Sequence, residues 1–93
     1  MINIELLDKY NFEEKSCFIV PGDTTKYTVY EKYINYDNIF ITVIFIENSM
    51  LKNMQSNITI KDKNEVYHKI LDFDIYNFNE YMRKNNWKFR FEI

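Results

Sequence analysis

Alanine is absent from the chain, and glycine, proline, cysteine, histidine and tryptophan occur once each, at Gly22, Pro21, Cys17, His68 and Trp87. Each scarcity excludes something. A single glycine rules out the glycine-rich loops that cradle nucleotide phosphates, because such loops need several positions where bare backbone N–H groups approach the ligand. A single cysteine rules out an intrachain disulfide. One imidazole argues against a zinc centre, which gathers three or four convergent protein ligands. No apolar stretch approaches the roughly twenty residues that cross a bilayer as a helix. The longest, Ile39 to Ile46, covers eight and includes Thr42. The opening Met1-Ile2-Asn3-Ile4-Glu5 lacks the basic residues and following apolar stretch of a secretory leader. With no leader and one lone thiol, the expected compartment is the cytoplasm, with no membrane association.

What is present describes one folded domain spanning residues 1–93. Hydrophobic residues make up 46% and charged residues 28% of the chain, proportions of a globule rather than a disordered tail. Phe, Tyr, Met, Ile, Asn and Lys account for 55 of the 93 residues, and only Arg83 and Arg90 are arginines. AT-rich codons encode the abundant set and GC-rich codons the scarce one, so the bias points to an AT-rich genome. Low-GC bacteria, their phages and mobile elements fit, as do some AT-rich eukaryotes. The net charge of −2 is too mild for the clustered basic face that binds duplex phosphates, and no direct nucleic-acid binding is expected. The acidic residues are also too scattered for a nucleic-acid mimic.

Periodicity predicts an α+β fold: an antiparallel sheet of five or six strands in hairpins or a meander, with one or two short helices. Asn3 can cap a helix through Tyr10, although Ile2, Ile4 and Leu6 alternate as a strand would. Asn11 to Lys15 reads as a loop. Cys17 to Val20 is a short apolar strand, and Pro21-Gly22-Asp23 is a turn, with glycine supplying the positive φ of a type II geometry. Thr24 to Tyr33 is a Thr- and Tyr-rich strand, followed by the turn Asn35 to Asn38. Ile39 to Ile46 is apolar on both of its alternating sets, which predicts a central strand needing cover on both sides. Asn48 to Gln55 reads as a loop or a helical turn, Asn57 to Lys61 as a strand, and Asp62-Lys63-Asn64 as a turn. Glu65 to Leu71 fits either a helix or a hairpin strand. Asn77 and Glu80 have the spacing of a capping box, Asn85-Asn86 can end that helix, and Trp87, Phe89, Phe91 and Ile93 alternate as a final strand.

No chemical motif emerges from the titratable residues. His68 precedes Asp72 and Asp74, but a base or metal ligand needs a converging set. Cys17 sits in an apolar strand, where a buried, inert thiol is expected. Asp8 followed by Glu13, Glu14 and Lys15 has the D…E-x-K order of metal-dependent nucleases, on a segment expected to be a loop. Neither a metal nor a cofactor is expected. Aromatic surface remains. Tyr27, Tyr30, Tyr33 and Tyr36 recur every three residues, which on a strand puts Tyr27 and Tyr33 on one face and Tyr30 on the other. Tyrosines anchor protein interfaces because they offer large contact area with few rotors.

The expectation is therefore a non-catalytic, protein-binding inhibitor or modulator that occludes its target sterically, with Tyr27, Tyr30, Glu31, Tyr33 and Tyr36 as contact residues. In an AT-rich bacterial or phage setting this would be an anti-defence factor such as an anti-CRISPR protein, bound to a nucleic-acid-processing defence complex, or a toxin-immunity protein. A small nuclease or RNA-cleaving toxin using Glu13, Lys15 and His68 is the alternative from another class. A homodimer that pairs the over-apolar sheet across a two-fold axis is the third.

Overall fold

Strands dominate because the β-branched and aromatic residues are concentrated between turns. The computed structural model describes residues 4–19, 21, 22, 24–48, 53–71 and 74–92. In chain order these residues form α1 (Ile4–Lys9), β1 (Glu13–Ile19), β2 (Thr25–Ile34), β3 (Ile39–Asn48), β4 (Asn53–Lys61), β5 (Tyr67–Leu71) and α2 (Ile75–Lys84). Asn3, Val20, Asp23, Asp72 and Ile93, each given a part in the sequence reading, lie outside the described residues, as do positions 49–52 of the loop before β4.

The strands form one five-stranded sheet in the order β1-β2-β3-β4-β5, every neighbour antiparallel. This meander and its two short helices are the predicted α+β architecture. The turns explain the register. Gly22 has φ +81°, the left-handed geometry expected of it between β1 and β2. Asn38 closes the β2–β3 turn with φ 54°. Asp62 Oδ1 accepts the N–H groups of Asn64 and Val66 at 2.9 and 3.0 Å, and Glu65 follows at φ 63°. That tight turn makes residues 67–71 a hairpin strand and not a helix.

The two apolar sets of β3 have different fates. Ile39, Ile41, Val43 and Phe45 are completely buried. They meet Ile58 and Ile60 of β4, Tyr30 and Ile34 of β2, and a cover built from Leu7 of α1, Phe12, Phe78 and Met82 of α2, Phe89 and Phe91. Phe40, Thr42, Ile44 and Ile46 point the other way and are only half-buried.

Four local expectations are corrected. Residues 13–15 belong to β1 and not to a loop, with a register shift between Glu14 and Ser16. The cap of α2 is Asp74, whose carboxylate accepts the N–H of Asn77 at 2.8 Å. Asn77 is thus inside the helix, and Glu80 binds Arg83 instead of reaching back to a cap. Cys17 is exposed, because β1 is an edge strand and the helical cover does not extend over it.

The fourth correction concerns the end of the chain. Residues 87–92 are not a strand. Their alternation is real, with Phe89 and Phe91 buried and Lys88 and Glu92 exposed. Side chains, however, supply the backbone hydrogen bonds that a neighbouring strand would have given. Asp37 accepts the N–H groups of Lys88 and Phe89 at 2.8 and 2.9 Å. Asn79 donates to the carbonyl of Phe91 and accepts its N–H, at 2.8 and 3.0 Å. Tyr10 Oη accepts the N–H of Glu92 at 2.7 Å. The segment lies across the buried face, and its phenylalanines pack on Tyr10, Phe12 and Phe78.

Candidate functional site

Helices and the C-terminal segment cover one side of the sheet. The other side carries no element among the described residues. Paired residues of an antiparallel sheet share a face, so the register gives this open face as four rows across the strands. The first is Phe18, Tyr27, Ile46 and Gln55. The second is Ser16, Val29, Ile44, Asn57 and Leu71, and the third is Glu13, Glu31, Thr42, Thr59 and Lys69. The fourth is Tyr33, Phe40, Lys61 and Tyr67.

The face is wet and half apolar, with its third row polar throughout. Phe18, Tyr33, Tyr67 and Leu71 are 50%, 56%, 62% and 70% exposed. Phe18 stacks on Tyr27 with ring centroids 5.1 Å apart, which pre-forms an aromatic corner at one end. At the other end a depression of about 640 Å³ opens between Tyr33 and Tyr67, floored by Phe40, Thr42 and Thr59 with Lys61 beside them. Tyr33 is held there by donating its hydroxyl proton to Asn38 Oδ1 at 3.1 Å. Charge is divided across the strands, with Glu13 and Glu31 on the β1–β2 side and Lys61 and Lys69 on the β4–β5 side. Lys15 donates to Glu13 at 2.8 Å, which holds the Glu13 carboxyl below the usual carboxylate range and the lysine above its own.

Of the residues expected to make contacts, Tyr27, Glu31 and Tyr33 lie on this face, and Tyr36 is exposed in the adjoining turn. Tyr30 is not available. It is 5% exposed and packs edge-on against Phe45 at 6.0 Å. Burial pushes its phenol above the usual value, with Glu14 and Asp8 adding to the shift. The expected alternation was right, but the face holding Tyr30 is the one the helices cover. Sequence reasoning missed Phe18, Phe40, Ile44, Tyr67 and Leu71. For Tyr67 and Leu71 the signal was present: taken as a strand, Tyr67, Lys69 and Leu71 alternate with His68 and Ile70.

The nuclease-like residues do not converge. Glu13 and Lys15 are on β1, whereas His68 is on β5, at the opposite edge of the sheet and on its covered face. Among the described residues no group of three or more His, Cys, Asp or Glu side chains is placed to hold a metal ion. His68 has a different setting, which the sequence did not indicate. Its Nε2 lies 3.0 Å from Asp62 Oδ2 and its Nδ1 lies 2.5 Å from Tyr81 Oη. The hydrogen bond from His68 holds the Asp62 carboxyl below its ordinary value, helped by the Val66 and Asn64 N–H groups and opposed by burial. An ionised carboxylate only accepts, so Nε2 carries the proton and donates. In the neutral ring, Nδ1 then accepts from Tyr81. A carboxylate, an imidazole and a hydroxyl in series have the order of a general-base relay. Here the imidazole is also edge-on to Trp87 at 5.2 Å. The chain Asp62–His68–Tyr81 ties the β4–β5 turn and β5 to α2.

The chain matches no protein-family model, and no curated protein or solved structure is similar to it. No helix among the described residues is long and apolar enough to cross a membrane.

Proposed function

We propose that the chain is a non-catalytic protein-binding module, an inhibitor or modulator that seats its open sheet face on a target and blocks that target sterically. The supporting observation is the second face of β3. Phe40, Ile44 and Ile46 are half-buried within their own chain. They continue into Phe18, Tyr33, Tyr67 and Leu71, all at least half exposed. Exposed or half-buried apolar side chains in two patches, Phe18, Tyr27, Val29, Ile44 and Ile46 on one side of the polar third row and Tyr33, Phe40 and Tyr67 on the other, support a protein-interaction surface. Tyr33 and Tyr67 are the anchors, and Tyr27, Glu31 and Tyr36 contribute around them.

The narrower reading, on a composition that fits an AT-rich bacterial or phage genome, is an anti-defence factor such as an anti-CRISPR protein bound to a nucleic-acid-processing complex. A toxin-immunity protein would use the same mechanism with the toxin as target. The test is affinity capture from host lysate with wild type, a Tyr33→Ala/Tyr67→Ala pair, and Tyr76→Ala, whose side chain is exposed on α2. The reading predicts one partner recovered by wild type and Tyr76→Ala and lost from the open-face pair. Equal recovery of that partner by all three removes the open face as the docking surface.

A further inference from the structure

The open face is complementary to itself, and the geometry points to a second copy of this chain as its occupant when no target is present. The inference rests on the reading of that face as a protein-binding surface and adds its regulation: a resting homodimer that a target must displace. Two sheets packing face to face align within about 30° and interdigitate at about 10 Å. A face-to-face pair of identical chains has its two-fold axis in the plane between the sheets, and charge selects the direction of that axis. An axis perpendicular to the strands sets each strand over its own copy, so that the half holding Glu13 and Glu31 lies over the same acidic half and the half holding Lys61 and Lys69 over the same basic one. An axis running along β3 exchanges the two halves instead, so that β1 lies over β5 of the second copy and β2 over β4.

With that axis the third row pairs Glu13 with Lys69 of the second copy, and Lys69 with Glu13, at the two ends. Thr42 meets its own copy at the centre. In the fourth row Tyr33 faces Lys61 of the second copy, a cation over an aromatic ring, and Phe40 meets Phe40. In the second row Ile44 meets Ile44 and Leu71 lies over Ser16. Lys15 and Glu65 each offset one charge within their own half, through the pairs Lys15–Glu13 and Lys61–Glu65. The halves keep opposite signs nonetheless.

The size of the face is adequate. Five strands about 4.8 Å apart and about eight residues long make roughly 500 Å² of flat area, which side-chain relief enlarges. A standard interface uses roughly 800 Å² of accessible surface per partner. The dimer therefore falls at the small end of that class.

The experiment is sedimentation equilibrium from about 5 to 500 µM, with circular dichroism on every variant. Wild type is expected to rise from its monomer mass of 11.5 kDa towards twice that value. Ile44→Lys, which sets two ammonium groups against each other at the axis, is expected to stay monomeric. Lys69→Glu and Glu13→Lys are each expected to weaken the dimer at least about tenfold, because like charges then face each other. Combining the two reversals restores the pairing to within about threefold of wild type. Should Ile44→Lys fail to fold, the charge variants at exposed positions decide. A wild-type mass that stays at 11.5 kDa throughout overturns the dimer. So does a dimer indifferent to Ile44→Lys, which would join through an edge strand, or a double reversal as weak as either single one. A constant monomer whose target capture still needs Tyr33 overturns the dimer and leaves the docking reading in place. Self-association lost on Ile44→Lys with target capture intact supports the dimer and overturns the docking reading.

Discussion

Asn79 does for the C-terminal segment what a neighbouring strand does elsewhere, and its removal should be costly out of proportion to its size. Its amide donates to the Phe91 carbonyl at 2.8 Å and accepts the Phe91 N–H at 3.0 Å. Phe91 is 1% exposed, so Asn79→Ala leaves both its backbone groups without partners in a setting water reaches poorly. A hydrogen bond contributes a net 0.5–1.5 kcal/mol or so, and a buried orphaned group costs about 1–3 kcal/mol. For two bonds at a half-buried side chain we expect a loss of about 2 kcal/mol, out of the roughly 5–14 kcal/mol usual for a domain of this length. Urea unfolding followed by Trp87 emission reads it directly, because the only tryptophan sits in the tethered segment. Asn79→Asp keeps the acceptor but sets a carboxylate against the Phe91 carbonyl, so it should be at least as damaging. A loss for Asn79→Ala below about 0.3 kcal/mol, with Trp87 emission unchanged, would show that aromatic packing alone holds the segment, and would refute the tether.

The His68 latch should show in the acid limb of stability. Asp62 has a folded-state pKa below its ordinary value, with the His68 hydrogen bond as the main cause. Its contribution is therefore complete above the unfolded value near 3.8 and disappears as pH falls through the lower folded value. Asp62→Asn should lower the melting temperature at neutral pH and flatten its fall below about pH 4, as read by thermal melts from pH 2 to 7. An acid limb identical to wild type would contradict the assignment. The two sides of β2 should also separate in chemical denaturation. Tyr30→Ala should cost about 3 kcal/mol for a fully packed ring, and Tyr33→Ala less than about 0.5 kcal/mol at an exposed position.

Periodicity and turn chemistry carried most of the fold. The isoleucine-rich run 39–46 announced a central strand, and Gly22, Asn38 and the Asp62 turn fixed the hairpins around it. The boundaries that were missed share a physical cause. Trp87 to Phe91 alternates because one side faces the core, and alternation reports burial, not the partner that satisfies the backbone. Here the partners are Asn79, Asp37 and Tyr10, the last two far away in sequence. Asp74 and Asn77 are both good caps, and sequence offers no way to rank them without knowing where the packed turn starts. The site was half legible. The run itself implied a second apolar face, but which alternating set the helices cover is a tertiary choice. Tyr30 was therefore given a surface role it cannot fill, whereas Tyr33, two positions from Glu31 on the same side, lies exposed on the open face. Cys17 was expected to be buried because its neighbours are apolar, and it is exposed because its strand is an edge.

The measurement closest to the central claim compares adjacent residues of β3 by urea unfolding, at a concentration where sedimentation shows the monomer. Val43 is fully buried and Ile44 half-buried on the opposite side. Val43→Asn should cost about 3–4 kcal/mol, from lost packing and a stranded amide. Ile44→Asn should cost about 1 kcal/mol or less, from partial burial and strand preference. Equal costs at the two positions would mean that both sides of the sheet are sealed within one chain, and would contradict an open face.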